Sequence, residues 1–391
     1  MKKVIIPFII ICAVGLLGSL ITDKTYLLKA LRVTYLRGNI DGTIDDYEVQ
    51  ATQKIKAKNP VPWQLHEKYN QVELSTEILK THTDLKSIAF LVIKDGKILT
   101  EQYFNEGSKE HLSSVWSISK TYTSLLILKA IEDGLISDIN DPVTKYIPEL
   151  KFEQEDTLTL RHLASMSAGL YWDESSHTPF SLITKLNFYS DLEKFTLNDM
   201  RATGEPGQVQ HYNSGATQIL GTVLDRVLKE KSISDYLSEK VWSSLGCEYD
   251  GLYILDSKKH GNEKTFGGIV ATARDVSRLG QSLLQNGYWN GQQILSEDQM
   301  ALFTTLPYNN STYNYGIWTG DYKGHKFYYQ LGFLGQFCIT VPDLNLVITR
   351  LGHEISPTEN LGEEDVEPDT YLYIEEAIRI IEESEINPIK K

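Results

Sequence analysis

Apolar positions fall along this chain in blocks of very different period. After Met1-Lys2-Lys3 comes "VIIPFIIICAVGLLGSLIT", roughly 18 mostly apolar residues without a charge, long enough to span a bilayer. This predicts an uncleaved signal anchor or a cleaved signal peptide over 1–22; the apolar run beyond Ala13-Val14-Gly15 favours the anchor. Residues 23–64 show little periodicity and close on "KNPVPW", which reads as a polar linker or stalk. Helical spacing follows in "LHEKYNQVELSTEILKTH". Two β-rich runs, "SIAFLVIKDGKILTEQYF", are then joined by Asp95-Gly96, a strong hairpin signal. "SVWSISKTYTSLLILKAIEDGLI" opens a long apolar helix. From 137 to 300 the pattern is mostly helical, broken by loops such as "SAGLYWDESSHTPF" and "ATGEPGQVQHYNSG". From 315 onward it alternates as antiparallel strands, and a last helix is expected over 370–384. Strands at both ends of a helical middle predict one α+β domain over 65–391: an antiparallel sheet flanked by helices, with an all-helical subdomain.

Charge narrows the partners. The net charge is −14 and no basic stripe is present, which argues against a nucleic-acid partner. Cys12, Cys247 and Cys338 allow at most one disulfide in the folded body, and their spacing suggests no metal site. No His-x-x-Glu-His or similar pair occurs among the histidines, so no catalytic metal and no cofactor is expected.

Chemistry concentrates at three places. Ser117 and Lys120 lie three residues apart, one face of a helix, and this is the chain's single Ser-x-x-Lys. A nucleophilic serine needs a proton acceptor, and a lysine whose charged form is disfavoured by a low-dielectric site can help supply one. The bland alternative is that Ser113 or Ser114 caps the helix and Lys120 is solvated. The second place is "PGQVQHYNSGATQILG", where Tyr212 sits on a loop just ahead of a helix. A phenol there, with its pKa depressed by the lysine's charge, can act as general base; a packed tyrosine explains it as simply. The third is "YYQLGFLGQFCITVPDLNLVI", where Gly332 and Gly335 interrupt a strand, marking a bulge or a close backbone approach. A backbone N–H there could complete an oxyanion hole with that of Ser117.

Together, Ser117-Ile118-Ser119-Lys120, Tyr212-Asn213-Ser214 and Gln330-Leu331-Gly332 resemble, in order and spacing, the serine β-lactamase and penicillin-binding-protein superfamily. The likeness is to its class C branch, with the esterase and 6-aminohexanoate-dimer-hydrolase relatives, and covers roughly 65–385. "LRHLASMSAGLYWDE" and "GGIVATARDVSRLGQSLLQNGYWNGQQIL" extend it. The resemblance implies a β-lactamase/transpeptidase-like fold. It makes Ser117 the acylated nucleophile, Lys120 the holder of its proton network and Tyr212 the base that then protonates the leaving group. The N–H groups of Ser117 and Phe333 would form the oxyanion hole.

Two departures bear on substrate. Ser214 stands where many β-lactamases have asparagine, and Gln330-Leu331 where they have lysine-threonine or a histidine. Those positions grip a β-lactam carboxylate in the family, so amide or ester substrates are favoured here. Ser214, Gln330 and Gly332 are candidate substrate-binding residues, and Tyr171 and Trp172, with Asp173, are expected to line the cleft. His211 reads as an exposed loop residue, and Arg274-Asp275 as a helix-start ion pair. "SMSAG" lacks the first glycine of a Gly-x-Ser-x-Gly elbow. The expected protein is a serine hydrolase acting on a small molecule or peptide through an acyl-enzyme. It would be tied to the membrane by its N-terminal segment, with the catalytic domain extracytoplasmic. A cell-wall D-amino-acid peptidase or β-lactamase, or a non-hydrolytic penicillin-binding-type sensor, are the alternatives.

Overall fold

Described in the computed structural model are residues 24–150, 157–175, 178–307, 311–357 and 366–386, so the apolar segment 1–22 lies outside the described residues. Among the described residues no helix is long and apolar enough to cross a membrane.

In chain order the first elements are α1 (Tyr26–Val33), β1 (Thr52–Ile55), α2 (Thr76–Asp84), β2 (Ser87–Lys94), β3 (Lys97–Tyr103), β4 (Ser113–Ser114) and α3 (Ser119–Glu132). The helical middle holds α4 (Leu160–Ala164), α5 (Leu182–Phe188), α6 (Leu192–Asp199), α7 (Ser214–Leu228) and α8 (Ile233–Leu237). Then come β5 (Gly251–Ile254), β6 (Ile269–Ala271), α9 (Ala273–Leu284), the hairpin β7 (Tyr288–Trp289) and β8 (Gln292–Gln293), and α10 (Glu297–Thr304). The chain closes with β9 (Tyr313–Asn314), β10 (Ile317–Tyr322), β11 (His325–Gly332), β12 (Gln336–Val341), β13 (Leu346–Gly352) and α11 (Pro368–Ile386).

Seven strands form the main antiparallel sheet in the order β3-β2-β13-β12-β11-β10-β9, so early and late strands meet where β2 pairs with β13. The β2–β3 turn is built as the sequence predicts: Asp95 and Gly96 both take positive φ, 51° and 74°, as a two-residue hairpin of this hand needs. Strand β2 itself does not alternate in exposure. Ile88 through Ile93 are all buried, because both faces of the sheet are covered. On one face α2 and α11 close a core that includes Phe90, Phe337, Ile339, Tyr373 and Ile380. On the other, α9 comes close enough that a Cβ at Gly280 would stand 2.7 Å from Val347 Cγ1 and 2.8 Å from Cys338 Sγ. Behind it α3 is buried on nearly every side, packed against α7. The two cysteines among the described residues, Cys247 and Cys338, are free and buried.

The mostly helical middle also contributes β5 and β6 to a second antiparallel sheet, in the order β1-β5-β6-β4, whose strands are two to four residues long. Runs that short carry no readable period. One expectation needs correction: 23–64 is not a linker in its described part. Helix α1 packs on α5, β1 pairs with β5, and Ile44 and Ile55 are fully buried. Their polar neighbours hide the pattern because the contacts that order them are tertiary.

Candidate active site

Pairing of β4 with β6 brings the chain into the site: Ser114 N–H donates to Ile44 O at 2.9 Å and Val115 N–H to Ile269 O at 3.0 Å. Trp116 then takes φ +50°, a left-handed conformation costly for a bulky residue and characteristic of sites held by their surroundings. Those surroundings are visible. The Trp116 ring meets the Phe333 ring edge-on at 5.5 Å, and Gly42 of the N-terminal segment lies against it, since a Cβ there would fall 2.8 Å from Trp116 Cη2. A 3-10 turn over Trp116–Ile118 presents Ser117 and feeds into α3. Ser113 and Ser114 are therefore strand residues rather than helix caps, and Ser119 turns inward to accept from Ile269 N–H at 3.0 Å.

Lys120 is almost completely buried. Its Nζ donates to Ser117 Oγ at 2.7 Å and to Phe266 O at 2.9 Å, and lies 4.9 Å from the Tyr212 ring centroid. No carboxylate pairs with it among the described residues. Burial pushes its pKa down to about 8, partly opposed by the charge of Glu174. Tyr212 completes the cluster, lining the cleft beside Ser117. Its ring stacks on Trp318 at 5.6 Å and meets Tyr313 edge-on at 5.5 Å. Contrary to the sequence-based expectation, its pKa is raised: burial dominates, Glu174 adds to it, and Ser117 only partly offsets them. Tyr212 is a half-buried neutral phenol, whereas Lys120 is the group brought toward neutral pH.

Gly332 ends β11 directly under this turn. A Cβ there would stand 2.2 Å from Val115 O, so only glycine allows the close approach. Among the described residues no protein acceptor takes up the N–H of Ser117 or of Phe333. Both residues line a cleft of about 410 Å3 shared with Tyr212, Ser214, Gly332 and Glu174.

Several candidates sit elsewhere than expected. Gln330 does not reach the cleft. Strand alternation puts it opposite Cys338 on the face toward α9, fully buried, with both amide atoms lacking a partner. Leu331, one residue on, lines the cleft instead. Trp172, 5% exposed, does not line it either: it packs on α7 at Gly215 and on Phe195, while Tyr171 is 57% exposed on the surface. Ser214 lines the cleft, but its hydroxyl is engaged, donating to Glu174 Oε1 at 2.5 Å. His211 is exposed. Arg274 and Asp275 do not pair with each other. Arg274 forms a bidentate pair with Glu101 (2.6 and 2.7 Å), and Asp275 accepts from Glu248 N–H at 2.6 Å. Asp45, Glu106 and His353 bring potential metal ligands within 4.8 Å of one another, and none of the three lines the cleft.

What the sequence reading missed is Glu174 and the N-terminal wall. Glu174 accepts from Ser214 N–H at 3.1 Å and from Trp172 Nε1–H, and is the charge that acts on both Lys120 and Tyr212. One acid in "YWDESS" carries no sequence signal of that. The wall is formed by residues from α1 and the chain after it, among them Ala30, Tyr35, Ile40 and Asp41.

The 6-aminohexanoate-dimer hydrolase of Paenarthrobacter ureafaciens is 26% identical over 236 residues, covering 58% of this chain and 58% of that protein. A teichoic acid D-alanine hydrolase of Staphylococcus aureus (strain MRSA252) is 24% identical over 288 residues, 71% of this chain and 65% of that one. The chain thus spans under two thirds of the length of both relatives. A solved Bacillus anthracis structure provisionally assigned as a 6-aminohexanoate-dimer hydrolase shares the fold, with a TM-score of 0.70 at 21% identity over 88% of this chain and 94% of that one. The family model described as Beta-lactamase matches residues 76–363, most of the chain, and the protein accordingly belongs to the β-lactamase family of serine hydrolases.

Proposed function

We propose that the protein cleaves an amide or ester bond through an acyl-enzyme on Ser117. The observation that carries this reading is the 2.7 Å contact between Ser117 Oγ and a buried, ion-pair-free Lys120, whose amine lies 4.9 Å from the Tyr212 ring centroid. Neutral Lys120 takes the proton as Ser117 Oγ attacks the carbonyl carbon, and the carbonyl π electrons move onto oxygen. The N–H groups of Ser117 and Phe333 face that oxyanion, an arrangement whose single donors are worth about 10²–10³ in rate. Collapse expels the amine or alcohol, which receives a proton from Tyr212; Lys120 then returns its proton to the phenolate. Water repeats the sequence on the acyl-enzyme, with Ser117 Oγ as the leaving group. No step calls for a metal or cofactor.

The substrate reading rests on what is missing from the strand beside the nucleophile. Gln330 points into the core and Leu331 takes the cleft position, so neither motif position offers a cation to a β-lactam carboxylate. Amides and esters of the kind named in the relatives fit better than β-lactams. We place the domain outside the cytoplasm, carried by the apolar segment 1–22. The test is a fluorophosphonate probe with a panel of p-nitrophenyl esters and anilides, applied to wild type and Ser117→Ala. Labelling and turnover should both vanish in the variant. Labelling without turnover in wild type would favour a sensor, and equal turnover in both proteins would remove Ser117 from the mechanism.

A further inference from the structure

Helix α1 is apolar on two sides. Tyr26, Ala30 and Val33, at i, i+4 and i+7, are buried against the domain. Leu28 and Leu31 of α1 are exposed, as are Tyr35 and Leu36 in the 3-10 turn Tyr35–Arg37 that follows it, and Ile40 beyond is 87% exposed. A helix with a second apolar face needs a second non-aqueous partner, and no described residue covers this one. Phe180 widens the patch, with Lys24 Nζ 5.5 Å from its ring. Lone exposed leucines are ordinary; a contiguous patch rimmed by polar groups marks an interaction surface.

Charge identifies the partner. Between 24 and 40 there are four basic residues and no Asp or Glu, in a chain of net charge −14. Lys29 is turned inward onto Asp256 O and Arg37 pairs with Asp46, but Lys24 and Arg32 are exposed and have no carboxylate partner among the described residues. A second copy would set two such cationic faces against each other, whereas an anionic lipid surface matches both the leucines and the charge. The chain entering α1 is, by sequence, an apolar run long enough for a bilayer. We propose that the exposed face of α1 docks on an anionic lipid bilayer and holds the cleft mouth against it. Tyr35 and Ile40, exposed just beyond α1, also line the cleft, as does the half-exposed Phe333. The docked enzyme therefore draws its substrate, an amphiphilic ester or amide, from the lipid surface; that part rests on the hydrolase reading above.

The test uses the full chain with Cys12→Ser, carrying a bimane on Leu36→Cys or, for reference, on Lys97→Cys. Lys97 is exposed beside the Asp95-Gly96 turn, at the end of the sheet away from Phe333. In phosphatidylcholine/phosphatidylglycerol vesicles, a lipid spin-labelled near its headgroup should quench position 36 at least threefold more than position 97. The excess should shrink in pure phosphatidylcholine. Equal quenching at both positions overturns the proposal, as does a probe at 36 that only a water-soluble quencher reaches, or that no quencher reaches because protein covers it. The double variant Leu31→Glu/Leu36→Glu should hydrolyse a dispersed p-nitrophenyl ester at the wild-type rate and a vesicle-embedded long-chain ester at least tenfold more slowly. Equal loss on both esters would count against docking. Silence of wild type on both would sink the hydrolase reading, while the quenching result would stand on its own.

Discussion

Helix α1 lines the cleft and α3 continues the turn that presents Ser117 to it, and the two helices are built in opposite ways. From Ser119 to Leu128 every residue of α3 is buried; α1 buries three of its eight residues and leaves leucines in water. A fully packed helix cannot shift without disturbing its neighbours, which suits the element that fixes Ser117 and Lys120 to within hydrogen-bond tolerance. A half-packed helix can change its outer face at little cost to the fold, which suits an element that shapes the cleft wall and meets a partner.

The largest break in this comparison comes from Lys120. Lys120→Met keeps the stem's volume and removes the proton acceptor, so kcat/KM on an active ester should fall by about 10²–10⁴, the range for lost general-base help. Because an ion-pair-free buried amine is replaced by an apolar group, thermal stability should hold or rise. A fall in kcat/KM that merely tracks lost folded protein, read by circular dichroism on the same samples, would mean that Lys120 is only a packing element.

Next in size is a matched pair of leucines. Leu126→Ala in α3 removes a fully buried side chain and should cost about 2–5 kcal/mol in urea unfolding of detergent-solubilised protein. Leu31→Ala on the outer face of α1, 43% exposed, should stay within about 0.5 kcal/mol. Equal costs would mean that the outer face of α1 is covered in solution and that the contrast between the two helices is false.

The same contrast explains what could be read from the chain. Ser117, Lys120 and the apolar helix behind them were legible because a buried helix writes its length and polarity into consecutive residues. The β2–β3 turn was legible because Asp-Gly has few other uses. The wall formed by 24–64 was not, since an eight-residue helix and a four-residue strand owe their order to distant partners in α5 and β5. Gln330 went wrong by one step of strand register: the motif placed it beside the nucleophile, and the pleat turned it to the opposite face. Trp172 was read as a cleft residue when its role is to hold Glu174 from behind.

Glu174 gives the smallest and most discriminating test, because it lies on neither helix and acts on the site through charge. Lys120 must be neutral to accept the Ser117 proton, and its pKa is about 8, so kcat/KM should rise with pH through that value. The Glu174 carboxylate favours the charged lysine and so raises that pKa. Glu174→Gln keeps an acceptor for the N–H groups of Ser214 and Trp172 while deleting the charge. Lys120 then loses its proton at lower pH, and the rising limb of the profile should move to lower pH with its plateau little changed. A shift to higher pH would reverse the assigned sign. An unchanged limb with a lower plateau would mean that Glu174 only positions the loop, and that burial by α3 and its neighbours sets the lysine's basicity alone.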